Sequence, residues 1–292
     1  MEVPLDAARL TEALVAQGPY AQVTVVEQTG STNHDLIAAA ASLPHLTALF
    51  AEYQTEGRGR QHPGEPTPRA WVAPPRSSLA VSVLFRPPGR PPLPVTLLPL
   101  AFGLAAVRAL DLTLPGGAAL KWPNDVIAGG RKVGGVLAAV APAGEVVIGL
   151  GLNVNQEQDQ LPEAPPYIMS YLRPGVPRGP RSAPSSPTPH PGSLATLGAP
   201  GVDRTWLAIA CLAAAADLYQ RWARGDGRLA DGIGQRMETL GREVWVRLGN
   251  GRVLEGEAHG LAADGSLVLT AADGTRRLVQ AGEITELTGR PN

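Results

Sequence analysis

The chain has 292 residues, enough for about two domains and a sizeable buried core. Its 25 basic and 26 acidic residues leave a net charge of -1, which argues against nucleic acid or an anionic membrane as a bulk electrostatic partner and makes any anion site a local feature. The single cysteine, Cys211, excludes an intrachain disulfide framework and a thiolate zinc cluster. An acidic N-terminus and a longest apolar run, Val95 to Val107, that is broken by Thr96 and Pro99 argue against a secretory signal and a bilayer span, so the expected location is the cytoplasm.

Leu5, Leu10, Ala13 and Leu14 lie at helical spacing over residues 4 to 17, and Gly18-Pro19 ends that element. Val23, Val25 and Val26 form a β-branched run that leads into Gly30-Ser31-Thr32-Asn33, where a hydroxyl or amide is expected to cap a helix starting near His34. A second apolar run, Leu46 to Tyr53, enters Gln54-Thr55-Glu56-Gly57-Arg58-Gly59-Arg60 and then a proline-rich loop over residues 61 to 76. Strand Leu79 to Phe85 and an apolar helix from Val95 to Leu110 follow. Lys121-Trp122-Pro123-Asn124-Asp125 opens a short strand, and Val133 to Val140 with Val146 to Leu152 read as a hairpin about Pro142-Ala143-Gly144.

Residues 173 to 201 hold 8 Pro, 5 Gly and 4 Ser, a composition that predicts a flexible insertion. Trp206 to Trp222 resumes a helix, with Cys211 on its apolar face as core filling. From Arg242 the pattern becomes period two, punctuated by Asn250-Gly251, Asp264-Gly265 and Asp273-Gly274, which predicts a small barrel or sandwich.

The five histidines are scattered and none has a neighbour at metal-ligand spacing. The phosphate-loop, dinucleotide-binding and nucleophile-elbow glycine patterns are missing, and Gly149-Leu150-Gly151 reads as a strand end. Alternating glycines in Gly57-Arg58-Gly59-Arg60 would let backbone approach a ligand while two guanidiniums offer bidentate donors to phosphate or carboxylate. Taken singly this is a basic turn, and Trp122 with Asn124-Asp125 is a core residue beside an ordinary turn. The sum is more telling. Four cations, Arg58, Arg60, Lys121 and Lys132, stand at strand ends or in glycine loops of a chain with almost no net charge.

Five segments in order, Ser31-Thr32-Asn33, Gln54 to Arg60, Lys121 to Asp125, Lys132-Val133-Gly134-Gly135 and Gly151-Leu152-Asn153, closely resemble the biotin protein ligases over residues 23 to 172. The resemblance implies an α+β fold: a mixed sheet flanked by helices, like the class II aminoacyl-tRNA synthetases, over residues 1 to 238, and a small SH3-like barrel over 239 to 292. It implies formation of biotinyl-5'-adenylate from biotin and ATP with Mg²⁺, then transfer to a lysine of a biotin carboxyl carrier protein. Arg58, Lys121 and Lys132 would carry the chemistry. Ser31, Thr32, Asn33, Gln54, Gly57, Arg58, Arg60, Lys121, Gly134 and Gly135 would surround biotin, while Arg58, Arg60, Trp71, Asn124, Lys132 and Asn153 would surround ATP. Asp125 would assist Mg²⁺ held mainly by phosphate and water.

Two departures from the family pattern stand out: Gln61 to Pro68 lengthen the loop before Arg69-Ala70-Trp71, and Ala73 to Leu79 lack a usual glycine and asparagine. A lipoate or octanoate ligase and a non-catalytic biotin-sensing regulator are the competing readings. Only about 22 residues precede the first strand, too few for a DNA-binding helix-turn-helix domain, so DNA is not an expected partner; a homodimer stays open. Because every hallmark precedes residue 154, the barrel is expected to serve acceptor handling or stability and not adenylate chemistry.

Overall fold

A computed structural model describes residues 3–61, 67–162 and 189–286. Its larger sheet has seven strands, β1 (Gln22–Thr29), β2 (Thr47–Gln54), β3 (Ser78–Phe85), β4 (Ala119–Lys121), β5 (Asp125–Ala128), β6 (Arg131–Val140) and β7 (Val146–Asn153), in the order β1-β2-β3-β7-β6-β5-β4. Only β1 and β2 pair in parallel, as a crossover through helix α2 (Thr32–Ala39) requires. Every residue of β3, a central strand between β2 and β7, is buried.

One face packs on α3 (Leu98–Leu110) and α4 (Arg204–Ala223) through Phe50, Val83, Phe85, Ile148 and Leu150. The other face is covered only in part, where Leu49, Leu84 and Val147 meet Leu36 and Ala40 of α2. Sheet alternation therefore leaves the rest of this second face open beyond the N-terminus of α2. The site lies there.

The N-terminal helix is shorter than its apolar spacing predicts. α1 (Ala7–Thr11) begins after Asp6, whose carboxylate accepts from the Arg9 amide, and widens into a π-turn at Glu12–Ala16 that keeps Leu10 and Leu14 buried. Helix α4 starts after Asp203, which accepts from the Thr205 and Trp206 amides at 2.9 and 3.1 Å. Cys211 is 1% exposed and burial pushes its thiol up to about 12, in keeping with core filling.

Arg204 and Glu52 form a fully buried ion pair at 2.8 Å. The guanidinium also donates to the Ser78 and Val3 carbonyls, and the other Glu52 oxygen accepts from the Leu5 amide. No spacing in the sequence points to this pair.

His45 packs beside the stacked Phe85 and Tyr219 rings and its Nδ1 accepts from the Arg86 amide at 3.0 Å. Burial, then the Arg86 charge, lowers its pKa from 6.5. The unfolded chain therefore binds a proton more readily, and stability present above pH 6.5 is lost as pH falls toward the folded value. A His45→Gln variant should flatten the decline of melting temperature below pH 6.5; an unaltered slope would remove His45 from the acid response.

The second sheet comprises β8 (Glu243–Arg247), β9 (Val253–Leu261), β10 (Leu267–Thr270), β11 (Arg276–Val279) and β12 (Glu283–Glu286), all antiparallel, in the order β11-β10-β9-β8-β12. Its three hairpins turn where expected. Gly251, Gly265 and Gly274 adopt φ near +80°, each preceded by an Asn or Asp that accepts from the amide two residues on. This SH3-like unit docks through Gly265, whose carbonyl accepts from the Trp122 indole at 3.1 Å and whose Cα faces Leu97 and Leu100.

The stretch expected to be a flexible insertion differs where it is described. Residues 189 to 201 dock on the sheet: Pro191 bridges to Lys132, Ser193 and Leu194 are wholly buried, and a 3-10 turn spans Ala195–Leu197. Backbone hydrogen bonds to Lys132 of β6 and Asn153 of β7 supply the order that composition does not suggest. Residues 173 to 188 lie outside the described residues.

Candidate active site

Three neighbouring strands meet in register on the open face, with small residues at every floor position but Leu137. Ser82, Gly149 and Leu137 form one row, and Ala80, Gly151 and Gly135 the next, with Leu84 and Val147 under α2 just behind. Side-chain bulk thus drops along the strands, leaving a cavity of about 340 Å³ whose floor is nearly bare backbone. Glycine is required at two of these positions. A Cβ at Gly149 would sit 2.5 Å from Asn33 Oδ1, and one at Gly151 would sit 2.7 Å from the Trp71 ring.

At one end the α2 N-terminus enters. Ser31 is extended and makes no side-chain cap; the Thr32 amide is instead satisfied by Gln54 Oε1 at 2.9 Å, so the helix begins two residues before His34. The Thr32 hydroxyl lies 3.1 Å from Gln54 Oε1 and 2.6 Å from Ser82 Oγ. Ser82 donates to Asn33 Oδ1, and Asn33 Nδ2 donates to the Leu137 carbonyl at 3.0 Å. Asn33, expected as a ligand, is therefore a clamp that crosses bare Gly149 to tie α2 to the sheet. Asn33 stays on the wall with Ser31, Thr32 and Gln54.

The glycine-arginine loop folds back on the segment after the proline-rich stretch. Gly59 donates to Arg69, Trp71 donates to Gly57, and Arg58 bridges Ala70. Gly57 is needed because a Cβ would meet the Trp71 carbonyl at 2.5 Å; it does not border the cavity, which corrects its expected place beside ligand. Gly134 is corrected likewise, since its bare Cα accommodates Leu152 and the Gly151 carbonyl. The Arg58 side chain is 61% exposed and only 3.7 Å from Glu56, a weak surface contact. Arg60 NH1 lies 3.5 Å from both Asn124 Oδ1 and the Gly282 carbonyl.

The far wall is the β4–β5 turn. Lys121, 6% exposed, and Asp125 face each other across the hairpin. Asn124 Nδ2 donates to the Val136 carbonyl, holding the turn against β6. Lys132 opens β6 with its amide on His190 and its carbonyl on Gly192, and its Nζ meets Asp125 Oδ1 at 2.6 Å. Asn153 borders the cavity, but its Nδ2 donates to the Gly192 carbonyl and its Oδ1 accepts from Gln156, so its amide supports the wall. Gly282 and Ile284 of the second sheet also border the cavity, against the expectation that the barrel stands apart from the chemistry.

Asp125 is the one carboxylate among the described lining residues, and no group of three His, Cys, Asp or Glu side chains converges among the described residues. This donor set suits a hard cation that brings its own phosphate and water ligands and does not suit a protein-built metal cage.

A cavity floored by glycines, capped by an indole and walled by lysines and arginines suits activation of a carboxylate by a nucleotide. The family model for the Biotin/lipoate A/B protein ligases matches residues 25–153, and that for the biotin protein ligase C-terminal domain matches 239–285. The chain is 35% identical to a biotin acetyl-CoA-carboxylase ligase of Mycobacterium tuberculosis, over 97% of this chain and 96% of that one. A biotin protein ligase from Aquifex aeolicus in complex with biotin and ATP superposes with a TM-score of 0.69 at 25% identity, covering 91% of this chain and 99% of the other. The ligase from Leishmania major in complex with biotinyl-5-AMP has a TM-score of 0.54 at 21% identity, covering 93% and 100%, and supports the fold alone. The chain belongs to the biotin protein ligase family.

Proposed function

We propose that the protein is an ATP-dependent biotin protein ligase acting on the biotin carboxyl carrier protein or domain of a carboxylase. The observation that carries this reading is the joining of a bare glycine floor to Lys121 and Lys132 in one cavity, within a family whose full-length relative bears that activity in its name. A lipoate or octanoate ligase is the weaker reading because of that relative.

In the first step a biotin carboxylate oxygen attacks the α-phosphorus of ATP. A P–O bond forms, the bond to the β-phosphate breaks, and pyrophosphate leaves with its electron pair. Next, the neutral carrier lysine amine attacks the acyl carbon, the C–O bond to phosphate breaks, AMP departs with the electron pair, and the nitrogen loses a proton to solvent as the amide forms. Neither step needs a protein nucleophile, and both build negative charge that fixed cations stabilise.

Ser31, Thr32 and Gln54 offer the polar end of the cavity to the ureido ring. Arg58 and Lys121 take the carboxylate and then the acyl phosphate, and Arg60 and Lys132 take the nucleotide phosphates. Trp71 excludes water from the mixed anhydride. Mg²⁺, carried in by the phosphates with Asp125 nearby, would supply Lewis-acid neutralisation of phosphate charge. Among the described residues no helix is long and apolar enough to cross a membrane.

The direct test is exchange of labelled pyrophosphate into ATP, which should appear with biotin and stay at background with lipoate or octanoate. Exchange driven better by lipoate would overturn the assignment. Within this reading Gly151→Val should weaken biotin binding at least about tenfold, roughly 1.4 kcal/mol, because a side chain there collides with the Trp71 ring; calorimetry showing an unchanged Kd would remove Gly151 from the floor.

A further inference from the structure

Behind the site, between β2, β3 and the loop that carries Trp71, lies a second, small cavity of about 10 Å³ lined by Glu52, Gln54, Trp71, Ser78 and neighbours. That is the space of one water molecule. Two polar atoms of its lining residues, Trp71 Nε1 and Glu52 Oε2, are buried with no hydrogen-bond partner among the described residues. One is a donor and the other an acceptor. Oε2 has the Arg204 guanidinium at 2.8 Å, and a carboxylate oxygen keeps a further lone pair for a second donor.

We propose that this cavity holds a single structural water that accepts from the Trp71 indole N–H and donates to Glu52, making Glu52 a positioning residue for Trp71. Leaving the indole N–H unpaired in the interior is costly, and a water that accepts from it can donate to the remaining lone pair of the Glu52 oxygen. The carboxylate is well suited to the task. Arg204 holds one of its oxygens and the Leu5 amide the other, so it cannot rotate away. The ring it steadies is the one that lies on Gly151. The start of α4, the N-terminal segment and the cover of the active site thus share one carboxylate. This role in ligand binding rests on the ligase reading, in which Trp71 borders the bound intermediate; the water itself does not.

The test uses the full chain. A high-resolution crystal structure should show a water within hydrogen-bond distance of both Trp71 Nε1 and a Glu52 carboxylate oxygen; a dry cavity, or an indole N–H bonded elsewhere, overturns the proposal whether or not any variant folds. In the ¹⁵N-labelled protein, five tryptophans give five indole signals, and Trp71→Phe identifies the relevant one. Glu52→Gln should shift that signal and speed its exchange with solvent about tenfold, leaving the other four in place. It should also raise KM for biotin about three- to tenfold, the worth of one hydrogen bond, with kcat nearly kept. A cooperatively folded Glu52→Gln protein with an unmoved Trp71 signal overturns the proposal. If the water and the shifted signal are found but no biotin-dependent exchange occurs, the ligase reading fails and the water site stands.

Discussion

Replacing Lys132 with alanine is expected to slow biotin-dependent ATP–pyrophosphate exchange about a hundredfold, on the order of 3 kcal/mol of lost transition-state stabilisation. The reason is rigidity. Lys132 is clamped on both backbone sides, to His190 and Gly192, and its ammonium is held at 2.6 Å by Asp125. A cation so placed costs no reorganisation when charge develops on the phosphates. Transfer from preformed biotinyl-adenylate should be nearly unaffected, since the phosphate bond is already broken. Arg58→Ala should behave differently. Its exposed side chain has only a loose contact with Glu56 and is available to close on the intermediate, so its loss should leak biotinyl-adenylate into solution. Unchanged exchange in Lys132→Ala would withdraw the proposed role.

Arg204→Met should cost about 3–5 kcal/mol of stability, because it leaves the Glu52 carboxylate buried beside an apolar group. The melting temperature should drop on the order of 10 °C. Replacing both partners, as Arg204→Met with Glu52→Leu, should recover most of that loss, since neither then strands a charge. Thermal unfolding of the single and double variants is the check. A single variant within about 1 kcal/mol of the parent would show the pair to be dispensable, as exposed pairs generally are.

Much of this architecture was legible in the chain because it is written in local patterns. The Asn-Gly and Asp-Gly turns, the apolar α3 and the β6–β7 hairpin each depend on a few adjacent residues. The four cations were also readable, since they stand at strand ends or in a glycine loop of a chain with almost no net charge. The cavity floor was harder. Gly149 and Gly151 alternate with Leu150 and Leu152, and Ala80 and Ser82 alternate with Leu79, Val81 and Val83. This period-two alternation of small and large was visible, but its meaning emerges only when register sets the small residues side by side.

The rest depends on distant partners. Asn33 and Asn153 border the cavity, but what orients their amides lies 104 and 39 residues away at the Leu137 and Gly192 carbonyls. The Glu52–Arg204 pair and the approach of Gly282 to the cavity are also long-range contacts with no local signature. Residues 189 to 201 were misread from composition, where backbone pairing to β6 and β7 decides the outcome. A wall partly built from the second sheet also means that a truncation before Arg242 should impair both half-reactions together.

The most direct measurement is mass spectrometry of a purified biotin carboxyl carrier domain after incubation with the protein, biotin, ATP and Mg²⁺. The account predicts one biotinyl group added to a single carrier lysine, with AMP and pyrophosphate released, and no addition when biotin is replaced by lipoate or octanoate. A carrier of unchanged mass alongside protein that binds biotin, or a carrier modified only by lipoate or octanoate, would contradict it.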